Sequence, residues 1–375
     1  MKNEFPFLSK DKANLSIVIL TITSSFLYLA KLTTFSPVYA LSPVFFIYLI
    51  TSFYISNKKI YIESCVFYSL AILIVYYTFN VMYFQAGIST FVNFTVGVTY
   101  FLSVILFLGL INRFIFVKGV VCSFWLIAII FFFDSLHRFI FPKMPSEEAM
   151  AAVADTSNFF YMFKFNTLMF ADSNTTAIAC VSIFFTLLYL KRNNIYSSFI
   201  LSFIYFSLII LTLSRAAIAA TIICVILFSD FLSKKVKYFF IMFFLLLTPF
   251  LLFEIFENDD SLESRFYILS KFLNHIYNAD EFTIFFGVGL DGSQKALDGI
   301  YAHVHFITSM VESGVFGLLL TLNFLILYLF STRFKGLFII LPNIVLGFSY
   351  FFYLGSPLVF VPMAILYVLE RRVHE

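Results

Sequence analysis

Long apolar runs, interrupted by short polar breaks, occupy most of this chain. A helix that crosses a membrane needs about 20 apolar residues, because each residue rises about 1.5 Å through about 30 Å of hydrocarbon. The runs are continuous and lack a two-residue alternation, which favours helices over the strands of a membrane barrel. The runs predict twelve spans, near residues 14–30, 37–56, 61–84, 88–111, 114–133, 174–190, 195–213, 216–232, 238–256, 306–330, 336–354 and 356–369. The last run is short for a span.

Lysine and arginine are unevenly distributed between alternate connections. One set of connections, together with both termini, holds 16 of the 24 basic residues, and the other set holds 8. Short cytoplasmic loops are enriched in Lys and Arg, so the bias predicts that both termini are cytoplasmic. The other set then faces outward and contains two long connections, 134–173 and 257–305.

Composition agrees with an all-α polytopic membrane protein. Of the 375 residues, 61% are hydrophobic and 12% are charged, whereas soluble domains have about 45–50% apolar and about 25% charged residues. A polar shell could not cover so much apolar surface, which excludes a soluble globule, and a disordered chain is excluded for the same reason. A net charge of +3 gives no support for nucleic-acid binding. No repeat or linker divides the chain, so one membrane domain is expected over 1–375.

Residues with chemical potential concentrate on the predicted outer side. The connection 257–305 holds eight acidic residues against three basic ones. Long loops commonly carry function. Any chemistry is therefore expected at the outer face.

Two arginines on this side are candidate ligands for phosphate. Arg215 follows Ser214 in a tight turn between two spans, where a cation must reach water, a lipid headgroup or a partner. It either snorkels to phospholipid headgroups or clamps a phosphate, because its guanidinium is a fork of donors that fits phosphate oxygens. Arg265 is a second cation, unless it pairs with Glu263 or Asp260.

Residues 287–292 read Gly-Val-Gly-Leu-Asp-Gly and formally match a dinucleotide-binding pattern. That pattern requires a preceding strand within a βαβ unit, and no strand is predicted here. Gly287 and Gly289 are therefore interpreted as a turn that returns the outer loop to the membrane.

Three ionisable residues surround the start of the span near 306–330. His303 and His305 are two residues apart, which places them on opposite sides of a helix and argues against a helical metal site. Either could exchange a proton near neutral pH as a base or hold an acceptor, or both could be boundary residues without such a role. Glu312 lies inside the apolar run, where it would be functional or paired with an arginine. In a helix, His305, Ser309 and Glu312 share one face.

The order of these motifs resembles the O-antigen polymerase and O-antigen ligase superfamily of bacterial membrane glycosyltransferases. The matching positions fall within about 210–320 and are Ser214-Arg215, Arg265, Gly287-Val288-Gly289, His303-Val304-His305-Phe306 and Glu312-Ser313-Gly314-Val315-Phe316-Gly317. Three features depart from the family pattern. Val304 stands where Asn is frequent, Ala216 stands where Gly is frequent, and no Trp follows Arg265. Alignment favours His303 as the motif histidine, whereas the helical face favours His305.

The resemblance implies a GT-C-like, metal-independent glycosyltransferase of the bacterial inner membrane that needs no cofactor. Its donor would be an oligosaccharide on undecaprenyl diphosphate at the outer leaflet. Ser214, Arg215 and Arg265 would hold the diphosphate. His303 or His305 would be the base, and Glu312 would orient a histidine or an arginine.

The same resemblance leaves the reaction open. A polymerase, which we favour, would transfer the growing chain onto the next lipid-linked repeat unit of an O-antigen, capsule or exopolysaccharide. A ligase would transfer it to lipid A–core. Chain-length regulators and flippases would be partners. A flippase for lipid-linked oligosaccharides is the alternative from another class, although the two halves of the chain do not resemble each other as they commonly do in transporters.

Overall fold

The computed structural model describes residues 5–33, 35–55, 62–143, 162–229, 235, 260–300, 302, 304–348 and 355–372. All regular elements within these residues are helices. Fourteen are described: α1 (Phe5–Ser24), α2 (Pro37–Ile55), α3 (Ser64–Phe84), α4 (Ile88–Leu110), α5 (Arg113–Ile140), α6 (Ser173–Arg192), α7 (Phe199–Leu211), α8 (Arg215–Phe228), α9 (Asp260–Asn278), α10 (Glu281–Phe286), α11 (Ser293–Ala296), α12 (His305–Ser331), α13 (Leu337–Gly347) and α14 (Pro357–Arg372).

Six of these helices are long and apolar enough to cross a membrane, namely α2, α3, α4, α5, α6 and α12. Three shorter helices, α7, α8 and α13, are also apolar. The expectation of an all-α protein with membrane-spanning helices is therefore confirmed. The predicted span near 238–256 lies outside the described residues.

The ends of the helices form two groups at opposite ends of the bundle. Glu63, just before α3, pairs with Arg371 of α14, whereas Phe84, the last residue of α3, contacts the ring of Phe282 in α10. The 21 residues of α3 separate these two places by about 32 Å. We call the first group the basic end, at residues 62–64, 110–113, 189–198, 331–337 and 367–371. We call the second group the loop end, at residues 24–33, 35–38, 84–90, 138–143, 162–173, 211–215 and 280–300.

The helix α14 is the innermost element. Every residue from Gly355 to Glu370 is buried, as expected for a helix that is apolar on all sides. It packs mainly on α4, where a Cβ atom at Gly97 would lie only 1.7 Å from the carbonyl oxygen of Gly355. The short run predicted near 356–369 is therefore the centre of the bundle.

A buried ion pair extends α5 beyond its predicted end at residue 133. Asp134 and Arg138 lie one turn apart, almost fully buried, with 3.7 Å between Oδ2 and Nε. Arg138 also donates to the carbonyl of Phe163 at 2.9 Å, and Asp134 accepts from the main chain of Leu168 at 2.6 Å. Such hydrogen bonds compensate the cost of burying charge. The predicted connection 134–173 thus begins as helix, and the ion pair holds its later part against α5.

Candidate functional site

The helix α12 is broken at Gly314, whose backbone (φ 64°, ψ −177°) is not helical. In a straight helix His305 and Phe324 would be about 28 Å apart, but both line one small cavity. Residues 305–313 therefore fold back against residues 315–331. The continuous helix expected over 306–330 consists of two segments.

The turn at Gly287–Gly289 docks on this break. Two main-chain hydrogen bonds join them, from Val288 N to Val311 O (2.9 Å) and from Gly289 N to Glu312 O (3.1 Å). Both Gly287 and Gly314 have positive φ. A Cβ at Gly287 would lie 2.7 Å from the nitrogen of Gly314, and a Cβ at Gly314 would lie 2.6 Å from the nitrogen of Gly287. Glycine is needed at both positions because of the backbone conformation and the close approach.

Two side chains of α3 hold the turn and the break together. The hydroxyl of Tyr76 hydrogen-bonds the carbonyl of Ser313 (2.5 Å) and lies 3.3 Å from that of Phe286. The fully buried Asn80 donates to Phe286 O (3.3 Å) and accepts from Leu290 N (3.0 Å). The Asn80 amide thus bridges the two ends of the glycine turn.

Glu312 lies where the turn meets the broken helix. Its side chain is 2% exposed, and its Oε1 accepts a hydrogen bond from the hydroxyl of Ser293 at 2.7 Å. Ser293 begins the short helix α11, so the loop end itself supplies a partner for this carboxylate. A buried carboxylate is stable only where such donors replace water.

His305 begins α12 and is 8% exposed. With Ser309, Tyr77 and Thr321 it forms the polar lining of a cavity of about 20 Å³, whose other walls are apolar. That volume suits a single water molecule. His305 and Ser309 therefore share a face, as the sequence predicted, and that face is turned into the bundle. His303 lies outside the described residues.

Ser214 and Arg215 lie at the loop end, where α8 begins. Ser214 is the buried N-cap residue of α8, and Arg215 is exposed. Lys164 lies nearby. Burial is the main cause that lowers the pKa of Lys164, and the positive charge of Arg215 lowers it further, whereas the negative charge of Asp172 raises it. The structure thus places a second cation beside Arg215.

Two buried side chains bring the segments of Lys164 and Arg215 together. The main-chain N–H of Ser173 donates to the carbonyl of Lys164 at 3.0 Å, and its hydroxyl donates to the carbonyl of Thr212 at 2.7 Å. Arg138 donates to Phe163 O and, at 3.3 Å, to Leu211 O. Residues 163–164 and 211–212 are therefore fixed to the same two groups.

The sequence-predicted residues fall into two clusters in the part of the chain that is described. One cluster contains Ser214 and Arg215, and the other contains Gly287, Gly289 and Glu312, with His305 in the adjacent cavity. Arg265 belongs to α9 by its backbone, and its side chain lies outside the described part. No group of three or more His, Cys, Asp or Glu side chains among the described residues is arranged to hold a metal ion.

Sequence reasoning missed the residues that hold these clusters in place: Tyr76, Asn80, Asp134, Arg138, Lys164 and Ser293. Asp134 and Arg138 are an i, i+4 pair that a local pattern could have found, whereas the other residues contact partners outside their own helix, which no local pattern identifies. Comparison of the sequence with protein-family models and with curated proteins gives no match to either.

Proposed function

We propose that this protein is a membrane glycosyltransferase, an O-antigen or related surface-polysaccharide polymerase. It transfers a growing glycan from undecaprenyl diphosphate onto the next lipid-linked repeat unit at the outer leaflet of the bacterial inner membrane. One observation carries the proposal: the cations Lys164 and Arg215 and the buried carboxylate of Glu312 lie on one side of the bundle, at the loop end. The resemblance of the motif order adds to it.

The proposed topology follows from the two ends. The basic end holds the Lys- and Arg-rich loops and is therefore assigned to the cytoplasm, with both termini. In the proposed GT-C-like arrangement the six candidate spans, the three shorter apolar helices, α1, α14 and the run near 238–256 make up the twelve spans. The loop end then faces the periplasm, where lipid-linked repeat units are presented.

In the proposed reaction a hydroxyl of the acceptor sugar attacks the anomeric carbon of the donor glycan. The bond from that carbon to the diphosphate oxygen breaks, and the lipid diphosphate leaves with the bonding electrons. Arg215 and Lys164 neutralise the negative charge that develops on it, and Arg265 is a further candidate. The hydroxyl proton passes to His303 as general base. His305 takes this role only if its cavity opens to the acceptor, because the cavity suits a single water molecule.

Glu312 has a positioning role in this scheme. A rise of about 10 Å separates His305 from Glu312 along the first segment of α12. The Ser293–Glu312 hydrogen bond couples the outer loop to the same segment. The loop therefore orders the histidine-bearing segment when it is docked.

The test is polymer formation by purified protein in lipid nanodiscs supplied with lipid-linked repeat units. Arg215→Ala is expected to lower the rate about 100-fold, the usual cost of one donor to developing charge. Arg192→Ala, an exposed arginine at the basic end, is the matched control and should retain the wild-type rate. Unchanged chain lengths with Arg215→Ala would remove the diphosphate clamp from the proposal.

Two alternatives make different products. A ligase would join finished polymer to lipid A–core. A flippase is favoured by one observation, the broken helix α12 with His305 inside the bundle, because discontinuous helices form binding sites in transporters.

Deletion of the gene separates the three functions. A surface core that carries a single repeat unit indicates a polymerase. A bare core with polymer on the lipid carrier indicates a ligase. Repeat units confined to the inner leaflet indicate a flippase.

A further inference from the structure

The outer-loop helix α9 has three distinct faces along its described side chains. Ile268 is buried and Phe272 packs with it against Val311 of α12, so this face is turned to the protein. A second face carries polar residues at four-residue spacing, Ser270, Asn274 and Asn278. The third face is apolar and exposed.

The uncovered face consists of four apolar residues, which we call the α9 stripe. Their exposed fractions are 45% for Phe266, 41% for Leu269, 58% for Leu273 and 88% for Tyr277. The spacing i, i+3, i+7, i+11 aligns them along one side of a helix. A soluble loop that merely covered a site would not be expected to expose such a stripe to water.

The lipid-facing surface of the bundle reaches the same region. On α3, a candidate membrane span, Phe79, Met82 and Tyr83 are exposed near the loop end. The Tyr83 ring lies 5.3 Å from that of Phe282 in α10. Phe282 and Phe285 of α10 are exposed as well, and only two residues separate α10 from α9. An apolar surface therefore continues from the membrane-spanning part into the outer loop.

We propose that α9 is an interfacial helix, and that the α9 stripe inserts into the outer leaflet of the surrounding bilayer. A helix with one apolar and one polar face lies in the membrane plane with its apolar side at the headgroup–acyl boundary. Tyrosines such as Tyr277 and Tyr83 are enriched at that depth.

Insertion of the apolar stripe, rather than attraction to anionic headgroups, provides the binding. The loop 257–305 has an excess of acidic residues. Lys271, at the edge of the polar face, pairs with Asp298 at 2.8 Å. Along its described side chains, residues 266–278, the helix therefore has no basic face for anionic lipid, and insertion of the stripe is expected to depend little on salt.

The outer loop would then be attached at two places. The glycine turn fixes its later part to α12, and the α9 stripe fixes its earlier part to the bilayer. This inference goes beyond the proposed function. Insertion of the stripe does not depend on that function, and only the choice of the outer leaflet rests on the orientation proposed with it.

Quenching of a fluorescent label on the full-length protein tests the insertion. Cys65 and Cys122, the two cysteines that are not fully buried, are replaced by Ser, and single cysteines are introduced as Leu273→Cys in the stripe and Asn274→Cys on the polar face. The labelled proteins are placed in phosphatidylcholine nanodiscs. They are exposed to iodide in water or to doxyl groups at shallow or deep positions on the acyl chains.

The proposal expects the label at residue 273 to lose most of its fluorescence to the shallow doxyl lipid and little to iodide, with the reverse at residue 274. Quenching of residue 273 by iodide to the same extent as residue 274 would place the stripe in water and overturn the proposal. Protection of residue 273 from both quenchers would show that protein covers the stripe, which overturns it equally. Tyr277→Cys repeats the test if Leu273→Cys does not fold. No glycan is used, so the result is independent of transferase activity.

Discussion

At the scale of single residues, the candidate site depends on charges held where water is scarce. Glu312 is an ionisable group at 2% exposure with a serine hydroxyl as a hydrogen-bond donor. Lys164 is a cation brought beside another cation, Arg215. Both arrangements cost stability by themselves, so each is expected to have a function that repays this cost.

Glu312→Gln tests the carboxylate. The substitution keeps the shape and can still accept from Ser293, but it removes the charge, and we expect polymer formation to fall at least about 100-fold, within the range for acid–base and orienting groups. Ser293→Ala is the comparison and should lose less, because the charge remains. The readout is the initial rate in nanodiscs with thermal stability measured in parallel. Equal rates for Glu312→Gln and wild type would assign Glu312 a purely structural role.

The lowered pKa of Lys164 predicts a pH dependence of donor binding. Free lysine titrates near pH 10.4, and burial with the Arg215 charge shifts Lys164 below that value. The cation is therefore lost at a lower pH than that of a free lysine, as pH rises through the lowered pKa. The apparent affinity for the lipid diphosphate should weaken over that interval in wild type and remain constant in Lys164→Arg, which keeps its charge. The same decline in both proteins would exclude Lys164 as its source.

At the scale of elements, the contact between the glycine turn and broken α12 organises the loop end. Gly287 and Gly314 each adopt a backbone conformation that other residues avoid, and their backbones approach too closely for a Cβ atom at either position. Tyr76 and Asn80 of α3 supply the hydrogen bonds that make the contact specific. The site therefore depends on three elements that meet at one point.

Gly314→Ala tests this contact. The new Cβ would lie 2.3 Å from the carbonyl oxygen of Phe285, and the backbone alone costs about 1–3 kcal/mol. Gly299→Ala is a matched control, since Gly299 also has positive φ but its Cβ would meet nothing within 4 Å. Thermal unfolding in detergent should show a clearly larger loss for Gly314→Ala. Equal losses would mean that the close approach does not contribute.

At the scale of the whole molecule, α14 forms the centre and the other helices surround it. This helix has only 16 residues, which is short for a membrane span. Its burial explains how so short a helix fits into the bundle, because it contacts protein rather than lipid. The Glu63–Arg371 pair and the Tyr189–Glu370 hydrogen bond (2.5 Å) fix its last turn at the basic end. The two ends of the bundle differ in charge and in loop length, because the basic end has short loops rich in Lys and Arg and the loop end has the long connections.

The topology of the whole chain gives one further prediction. A reporter enzyme that is active only in the periplasm should be inactive when fused after Glu375 and active when inserted after Lys143, because these positions are assigned to opposite ends. Activity in the C-terminal fusion would reverse the proposed orientation and move the candidate site to the cytoplasm.

The sequence by itself determined the helical class, the approximate positions of the long apolar helices and the distribution of charge between their ends, although not the helices α9, α10 and α11 within the predicted connection 257–305. This information is local, because a bilayer-length apolar run and the charges beside it are contained in about 20 consecutive residues. It also identified Gly287, Gly289, His305 and Glu312 as unusual positions in an apolar context.

Only the tertiary structure decided how those positions are used. The break at Gly314 depends on Gly287, and the buried Asn80 is satisfied by Leu290, 210 residues away in sequence. The proximity of the two cations Lys164 and Arg215 depends on hydrogen bonds made by Arg138 and Ser173. No sequence pattern near either cation reveals these bonds. Burial of α14 and exposure of the α9 stripe follow from what surrounds each helix, because hydropathy measures how apolar a segment is but not whether protein, lipid or water covers it.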